Sequence, residues 1–408
     1  MVCTGACTLV KPQFLMSRIL YVHQYFKTPD ESGAVRSYLI AKGLAKAGYD
    51  VHMLAGHCGK SYKKLEMEGF TIHYLPVCYI SHFGFSKRYW AFLRFVFLSL
   101  THFSKLPKPD LVYATSTPLT VGVIALWLKW TRGINFIFEV RDLWPDAPIA
   151  LGVLRNWVVK KLALKLEKSL YANASELVAL SPGIEKGIAS KIAGVPTAII
   201  PNMGDTDFFQ FKAGGLNQER PFTIGYFGAM GLANHVAHIV QLAIACQRSK
   251  TKVNFLLVGD GPLKSDIEQM IVDYGLKNVE LMPYQNRFEV RNLMKRVDAC
   301  LTTFCPLPIL QTNSPNKFFD GLASGRLTIV NTEGWMRELV ETHQCGIYTD
   351  PQKPGMFPGD IQPFIEHPEL LAQYQQNARA LASRQFSKNL LVEQVLDVLR
   401  KHLPETNS

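Results

Sequence analysis

FTIGYFGAMGLANHVAHIVQLAIACQRSKTKVNFLLVGDGPLK, residues 222–264, is the stretch on which the fold is decided. An apolar run from Phe222 ends in the glycine-rich loop Gly225-Tyr-Phe-Gly228-Ala-Met-Gly231. A helical pattern follows, then a second apolar run, Asn254 to Gly259, ending in another glycine turn. Strand, helix and strand in that order make a parallel unit, because parallel neighbours need a crossover and a helix supplies it. Further apolar runs at Val279–Pro283, Ala299–Phe304 and Thr328–Asn331 continue the series. The first half repeats the pattern, with strands expected at Arg18–His23, Asp50–Leu54, Phe70–Leu75, Leu111–Ala114, Asn135–Val140 and Glu176–Leu180. Helical patterns fall between them at Ala34–Ala47, Ser86–Phe103, Leu119–Thr131 and Val153–Tyr171. The fold class is α/β: two Rossmann-like, doubly wound parallel-sheet domains, 16–203 and 204–387. They join through PNMGDTDFFQFKAGGLNQERP, residues 201–221, and the closing helix, 388–402, suits either domain, the first included.

The chain has 408 residues, 48% hydrophobic and 19% charged, which excludes a disordered tail or a filament. Its net charge of +11 is unevenly distributed. Residues 1–203 hold 24 basic and 12 acidic side chains, against 20 and 21 in residues 204–408. The basic half asks for an acidic partner: nucleic acid, an anionic membrane surface or a phosphate-bearing substrate. Nucleic acid is set aside, because the positive residues alternate with apolar helix faces and no binding motif accompanies them.

Eight cysteines are too sparse for a disulfide framework, and neither Cys3/Cys7 nor Cys300/Cys305 has a second pair at zinc spacing. All eight are expected as free thiols in a reducing compartment. The opening MVCTGACTLVKPQFLM does not read as a signal peptide, and Met16 is a candidate alternative start. The longest apolar stretch, Tyr89–Leu100, has 12 residues with Arg94 in the middle, well short of the roughly 20 a spanning helix needs. The wider segment His82–Lys105, aromatic and basic, suits a membrane surface or an interior helix with outward-reaching cations. Val153–Tyr171 adds Arg155, Lys160, Lys161, Lys165 and Lys168.

In doubly wound sheets, ligands bind beyond the carboxyl ends of the strands. The first such loop brings Gly33 to a helix start, where backbone N–H groups can approach a phosphate; an ordinary turn has the same sequence. In the second, Gly228, Met230, Gly231 and Asn234 form a strand-to-helix loop fit for a diphosphate. It lacks the G-x-G-x-x-G spacing and the later acidic residue of a dinucleotide site. The third carries Gly259 and Lys264, either a capped turn or a ligand contact. The fourth is Asn313-Ser314-Pro315-Asn316-Lys317-Phe-Phe-Asp320, in which Pro315 opens a helix. Lys317 and Asp320 then share one helical face, as a surface ion pair or as a cation and a carboxylate for a nucleoside diphosphate. Phe318, Phe319 and Leu322 are expected inside. Glu139-Val-Arg141-Asp142-Leu-Trp-Pro-Asp146 ends a strand at the same cleft. Asp142 or Glu139 is expected to receive a proton there and Arg141 to grip a phosphate, the alternative being a solvated turn. Asp205-Thr-Asp207 has the form of a metal-holding D-x-D pair.

These stretches resemble glycosyltransferase family 4 of the GT-B fold, in the bacterial branch that builds O-antigen, colanic acid and other surface polysaccharides. The likeness covers nearly the whole chain from Met16. It rests on RILYVHQYF, ESGAVRSYLIAKGLAKAGYDV, FEVRDLWPDAPIALG, IIPNMGDTDFF, YFGAMGLANH, LLVGDGPLK and SPNKFFDGLASGRLTIVNTEGWMRELVE.

The resemblance implies a retaining, metal-independent transferase whose second domain holds a nucleotide-sugar, usually a UDP-sugar. The first domain would take a polyprenyl-diphosphate-linked saccharide at the anionic inner face of the cytoplasmic membrane. Asp320 matches the second carboxylate of the family's E-x7-E motif and would bind the ribose, with Lys317 beside the diphosphate or sugar. The family's first Glu is replaced by Thr312, and Asn234 and His235 stand where a basic residue is usual. A UDP-sugar 2-epimerase and a non-catalytic nucleotide-sugar-binding subunit are the alternatives on this fold.

Overall fold

A computed structural model describes residues 16–31, 35–80, 83–211 and 220–403. The apolar runs pair into two sheets. The first contains β1 (Arg18–Val22), β2 (Asp50–His57), β3 (Lys63–Met67), β4 (Phe70–Pro76), β5 (Leu111–Thr115), β6 (Asn135–Val140), β7 (Glu176–Ala179) and β8 (Thr197–Ile199), in the order β3-β4-β2-β1-β5-β6-β7-β8. The second contains β9 (Phe222–Phe227), β10 (Val253–Val258), β11 (Val279–Met282), β12 (Ala299–Thr302), β13 (Leu327–Val330) and β14 (Gly346–Tyr348), in the order β11-β10-β9-β12-β13-β14. Among the described residues, only β3 pairs antiparallel, with β4 at the sheet edge.

The central strands are buried on both faces, which is why they read as unbroken apolar runs. Helix Arg36–Lys46 covers one face of the first sheet, while helices Phe85–His102, Val121–Arg132 and Trp157–Asn173 cover the other. Strand order reverses between β1 and β5, and again between β9 and β12, so the loops after these strands open into crevices. In the second sheet, Val253 to Val258 lie level with Phe222 to Phe227, which sets the two glycine loops side by side.

Strands β3, β8 and β14 were not foreseen. Lys63–Met67 is mostly polar and solvent-facing, and β8 and β14 have three residues each, too few for a periodic signal.

The closing helix, Lys388–Arg400, packs on the first domain against helix Arg36–Lys46, although it follows the second in sequence. A Cβ at Gly43 would overlap Val392 Cγ1, so glycine sets this helix contact. Lys401 and His402 then bond Glu176 at 3.1 and 2.9 Å.

The expectation of free thiols throughout is corrected: Cys58 and Cys78 form a disulfide. Cys58 follows β2 and Cys78 follows β4, and these strands are hydrogen-bonded neighbours in register to His57–Pro76. Strand pairing, not Cys spacing, brings the two sulfurs together. Cys246, Cys300, Cys305 and Cys345 are free, and Cys3 and Cys7 lie outside the described residues.

Filling the helix contact should loosen the closing helix. Gly43→Val is expected to destabilise by about 1–3 kcal/mol, with partial recovery in Gly43→Val/Val392→Ala. Thermal unfolding is the measurement, and an unchanged midpoint in the single variant would refute this packing.

Candidate active site

A cleft of about 900 Å³ lies between the carboxyl edges of the two sheets. The second domain contributes Gly228, Asn234, Gly259, Ser314 to Lys317 and Asp320; the first contributes Ile80, Arg36, Arg141 and Asp142.

Helix Asn316–Ala323 starts directly after Pro315. Phe318, Phe319 and Leu322 are fully buried, as expected, with Phe319 edge-on to Phe386 at 5.1 Å and stacked on Trp335 at 6.2 Å. That anchoring leaves Lys317 and Asp320 on the cleft side. Lys317 Nζ donates to Tyr226 Oη at 2.9 Å and lies 4.2 Å from the centroid of that ring. Burial pushes the Lys317 ammonium down from 10.5 to about 7. Burial also pushes the Asp320 carboxyl up to about 7, opposed by the nearby Arg287 guanidinium. The site without ligand thus holds both charges weakly, and a bound diphosphate would favour protonated Lys317.

The glycine loops interlock. Gly228 N–H donates to Val258 O at 3.0 Å, Met230 N–H to Asp260 O at 2.9 Å and Leu263 N–H to Met230 O at 3.0 Å. A Cβ on Gly259 would overlap the Gly228 carbonyl, and Gly261 adopts φ +155° against Met230. Met230 is a core residue, and neither it nor Gly231 lines the cleft. Lys264 does not line it either; it faces Glu268 on its own helix at 3.9 Å. Gly33 lies outside the described residues.

On the opposite wall, Glu139 differs from expectation. It is fully buried, accepts from Arg36 Nε at 3.0 Å and Nη2 at 2.8 Å, and also binds the Tyr113 and Thr115 hydroxyls, each at 2.7 Å. Burial raises its pKa, but Arg36 and then Arg141 outweigh that and hold the carboxyl down to about 2. It neither lines the cleft nor holds a proton near neutrality, so it does not fit the expected role of receiving a proton there. Asp142 does line the cleft; burial raises its pKa, with Arg141 opposing. Arg141 approaches His23 Nε2 at 3.5 Å, and burial followed by this guanidinium lowers His23 to about 3. Asp146 turns away to Lys191, which also binds both Glu167 oxygens at 2.6 and 2.7 Å.

Asp205 and Asp207 face cations. Lys388 bonds both at 2.9 Å, and Arg287 bonds Asp205 at 2.9 Å. Among the described residues, no group of three or more His, Cys, Asp or Glu is arranged to hold a metal ion. Thr312 meets the first domain: its carbonyl accepts from the Ser181 hydroxyl, and a Cβ on Gly183 would crowd it.

A family model described as a glycosyl transferase 4-like domain matches residues 33–203, and one described as glycosyl transferases group 1 matches residues 207–381. This chain belongs to the GT-B glycosyltransferases. It is 22% identical over 314 residues to the putative colanic acid biosynthesis glycosyl transferase WcaI of Escherichia coli (strain K12), covering 72% of this chain and 74% of that protein. Sucrose-phosphate synthase from Thermosynechococcus elongatus superposes with a TM-score of 0.76 at 16% identity, covering 94% of this chain and 98% of that one. Anabaena HepE in complex with UDP and glucose superposes with a TM-score of 0.68 at 18% identity, covering 94% and 99%. At these identities the superpositions establish the fold.

Three residues of this glycosyltransferase site escaped the reading of its sequence. Tyr226 lay in the deciding stretch but read as strand apolarity. Arg287 and Arg36 carry no local motif; Arg36 finds Glu139 across 103 positions. Glu139→Gln should strand a buried guanidinium and destabilise the enzyme by about 3–5 kcal/mol in chemical denaturation. Because the folded pKa is depressed, this contribution is complete above the ordinary value of 4.5 and disappears as pH falls toward about 2. Acid unfolding of the wild type should therefore include a component in that window that Glu139→Gln lacks.

Proposed function

We propose that the enzyme transfers a sugar, with retention, from a UDP-sugar to a lipid-linked saccharide in bacterial surface-polysaccharide synthesis. The observation that carries this reading is Lys317 and Asp320 on one face of a buried helix, opposite the interlocked glycine loops. A cation and backbone N–H groups suit a diphosphate, and a carboxylate suits ribose hydroxyls. The UDP and glucose bound to the Anabaena neighbour and the colanic acid role named for the Escherichia coli relative support the donor and pathway class.

As the bond from sugar C1 to the diphosphate breaks, positive charge builds on the ring and negative charge on the leaving phosphates. Lys317 and loop N–H groups stabilise the latter without reorganising. The acceptor hydroxyl attacks from the face the leaving group vacates, so retention needs positioning more than a strong base. Asp142, on the facing wall, receives the acceptor proton directly or after the leaving phosphate, and Arg141 holds an acceptor phosphate. No metal takes part in this scheme.

Docking on the anionic inner leaflet of the cytoplasmic membrane brings the enzyme to its acceptor. Helix Phe85–His102 buries Ala91, Phe95 and Ser99, yet exposes Trp90 (68%) and Phe97 (65%) beside Arg94. Helix Trp157–Asn173 exposes Trp157 (71%) and Leu162 (61%) among Lys161, Lys165 and Lys168. Aromatic side chains interleaved with cations suit the headgroup region. Among the described residues, no helix is long and apolar enough to cross a membrane.

A nucleotide-sugar screen by mass spectrometry, with membrane extract as acceptor source, tests the reading. Transfer should depend on both donor and lipid extract and survive EDTA. Sugar isomerisation with donor alone would indicate the 2-epimerase, and tight donor binding without turnover the non-catalytic subunit. Lys317→Ala should lower kcat/KM by about 10²–10³-fold. Asp142→Asn should slow transfer while leaving UDP affinity unchanged in calorimetry. Binding to anionic vesicles should weaken with salt; salt-insensitive binding would remove the electrostatic part of the docking argument.

A further inference from the structure

We propose that Tyr226 is a positioning residue whose phenol, anchored on the glycine-rich loop, aims the Lys317 ammonium at the donor's diphosphate. This rests on the donor-site reading above and adds the group that orients its cation.

Tyr226 sits at the carboxyl end of β9, buried, and does not itself line the cleft. A phenylalanine would satisfy the packing. The hydroxyl instead has two partners, one in each sense: it donates to Ala229 O at 2.7 Å and accepts from Lys317 Nζ at 2.9 Å. Ala229 lines the cleft, so the phenol ties the loop and the cation to one atom. The ammonium also lies 4.2 Å from the Tyr226 ring centroid and 5.7 Å from that of Phe304. A Cβ at Gly228 would come within 3.2 Å of Nζ, so only glycine lets the cation rest freely against this loop.

The choice of partner has a consequence. A carboxylate at the position of the phenol would neutralise the lysine and compete with an incoming phosphate. A neutral oxygen and two ring faces favour the protonated amine while leaving its charge available to an anion. Asp320, three residues along the same helix, interacts with Arg287 and Asp205, and Asp260 also lines the cleft. Burial lowers Lys317 to about 7, so loss of an acceptor should lower it further.

The test compares full-length wild type, Tyr226→Phe, Lys317→Ala and the double variant, with UDP as probe in calorimetry across the neutral pH range. Tyr226→Phe should weaken UDP binding by about tenfold. It should also move the alkaline loss of binding to lower pH, a shift that a packing role alone would not produce. The double variant should bind no worse than Lys317→Ala. Unchanged affinity and pH dependence, or a loss that adds to that of Lys317→Ala, overturns the proposal. Carbon-13 NMR of labelled lysines without ligand supplies an independent readout. If Lys317 titrates at lower pH in Tyr226→Phe while wild type binds no UDP, the positioning stands and the donor reading fails. If Lys317 titrates alike in both proteins, the positioning is wrong whatever the ligand.

Discussion

Arg36 and Glu139 form a buried ion pair on which the geometry of the cleft depends. Its guanidinium does more than neutralise a carboxylate: it also donates to the carbonyls of Pro201 and Ile200, where the chain leaves the first domain. One side chain therefore joins helix Arg36–Lys46, the end of β6 and the interdomain crossing. Two charges out of water are tolerated because both are hydrogen-bonded as well as paired, the Tyr113 and Thr115 hydroxyls completing the carboxylate. The return crossing is fastened in the same manner, with Lys388 and Arg287 on Asp205, and Arg379 on the carbonyls of Phe209, Thr206 and Ala323. The acidic turn that looks like a metal motif is thus a structural clasp.

The cleft walls differ in electrostatic character. On the second-domain wall, burial draws Lys317 and Asp320 toward neutrality, and a ligand's own charge would restore theirs. On the first-domain wall, Glu139 keeps its charge, and burial, assisted by the neighbouring Arg141, leaves His23 neutral. The surplus of basic residues in the first half is not concentrated at this wall. Much of it lies on helices Phe85–His102 and Trp157–Asn173, on the face of the first sheet away from helix Arg36–Lys46. The cleft wall and the basic, aromatic helices therefore occupy separate surfaces of one domain.

Legibility followed the range of the interactions. Phe318, Phe319 and Leu322 were readable as core, and Lys317 and Asp320 as sharing another face, because helical spacing separates the two. That this face borders a cleft rather than carrying a surface ion pair followed from the family resemblance. Gly259 was readable as a loop glycine at a strand end, but not as one packed against the Gly228 carbonyl. Glu139 was misjudged because an acid at a strand end looks the same whether it meets solvent or an arginine from a distant helix. Met230 and Lys264 sit in the correct loops but turn away, the former into the core and the latter along its own helix.

The order of strands and helices, the two-domain division and the loops that border the cleft were determined by the sequence itself, since apolar periodicity and glycine placement are local properties of the chain. Only the tertiary structure decided that Cys58 meets Cys78, that the closing helix crosses back to Gly43, that Glu139 belongs to Arg36 and that a tyrosine holds Lys317. The Arg36–Glu139 and Tyr226–Lys317 contacts span 103 and 91 positions. Such pairs are fixed by sheet register and domain packing, and a single chain read in order carries no local signal of either.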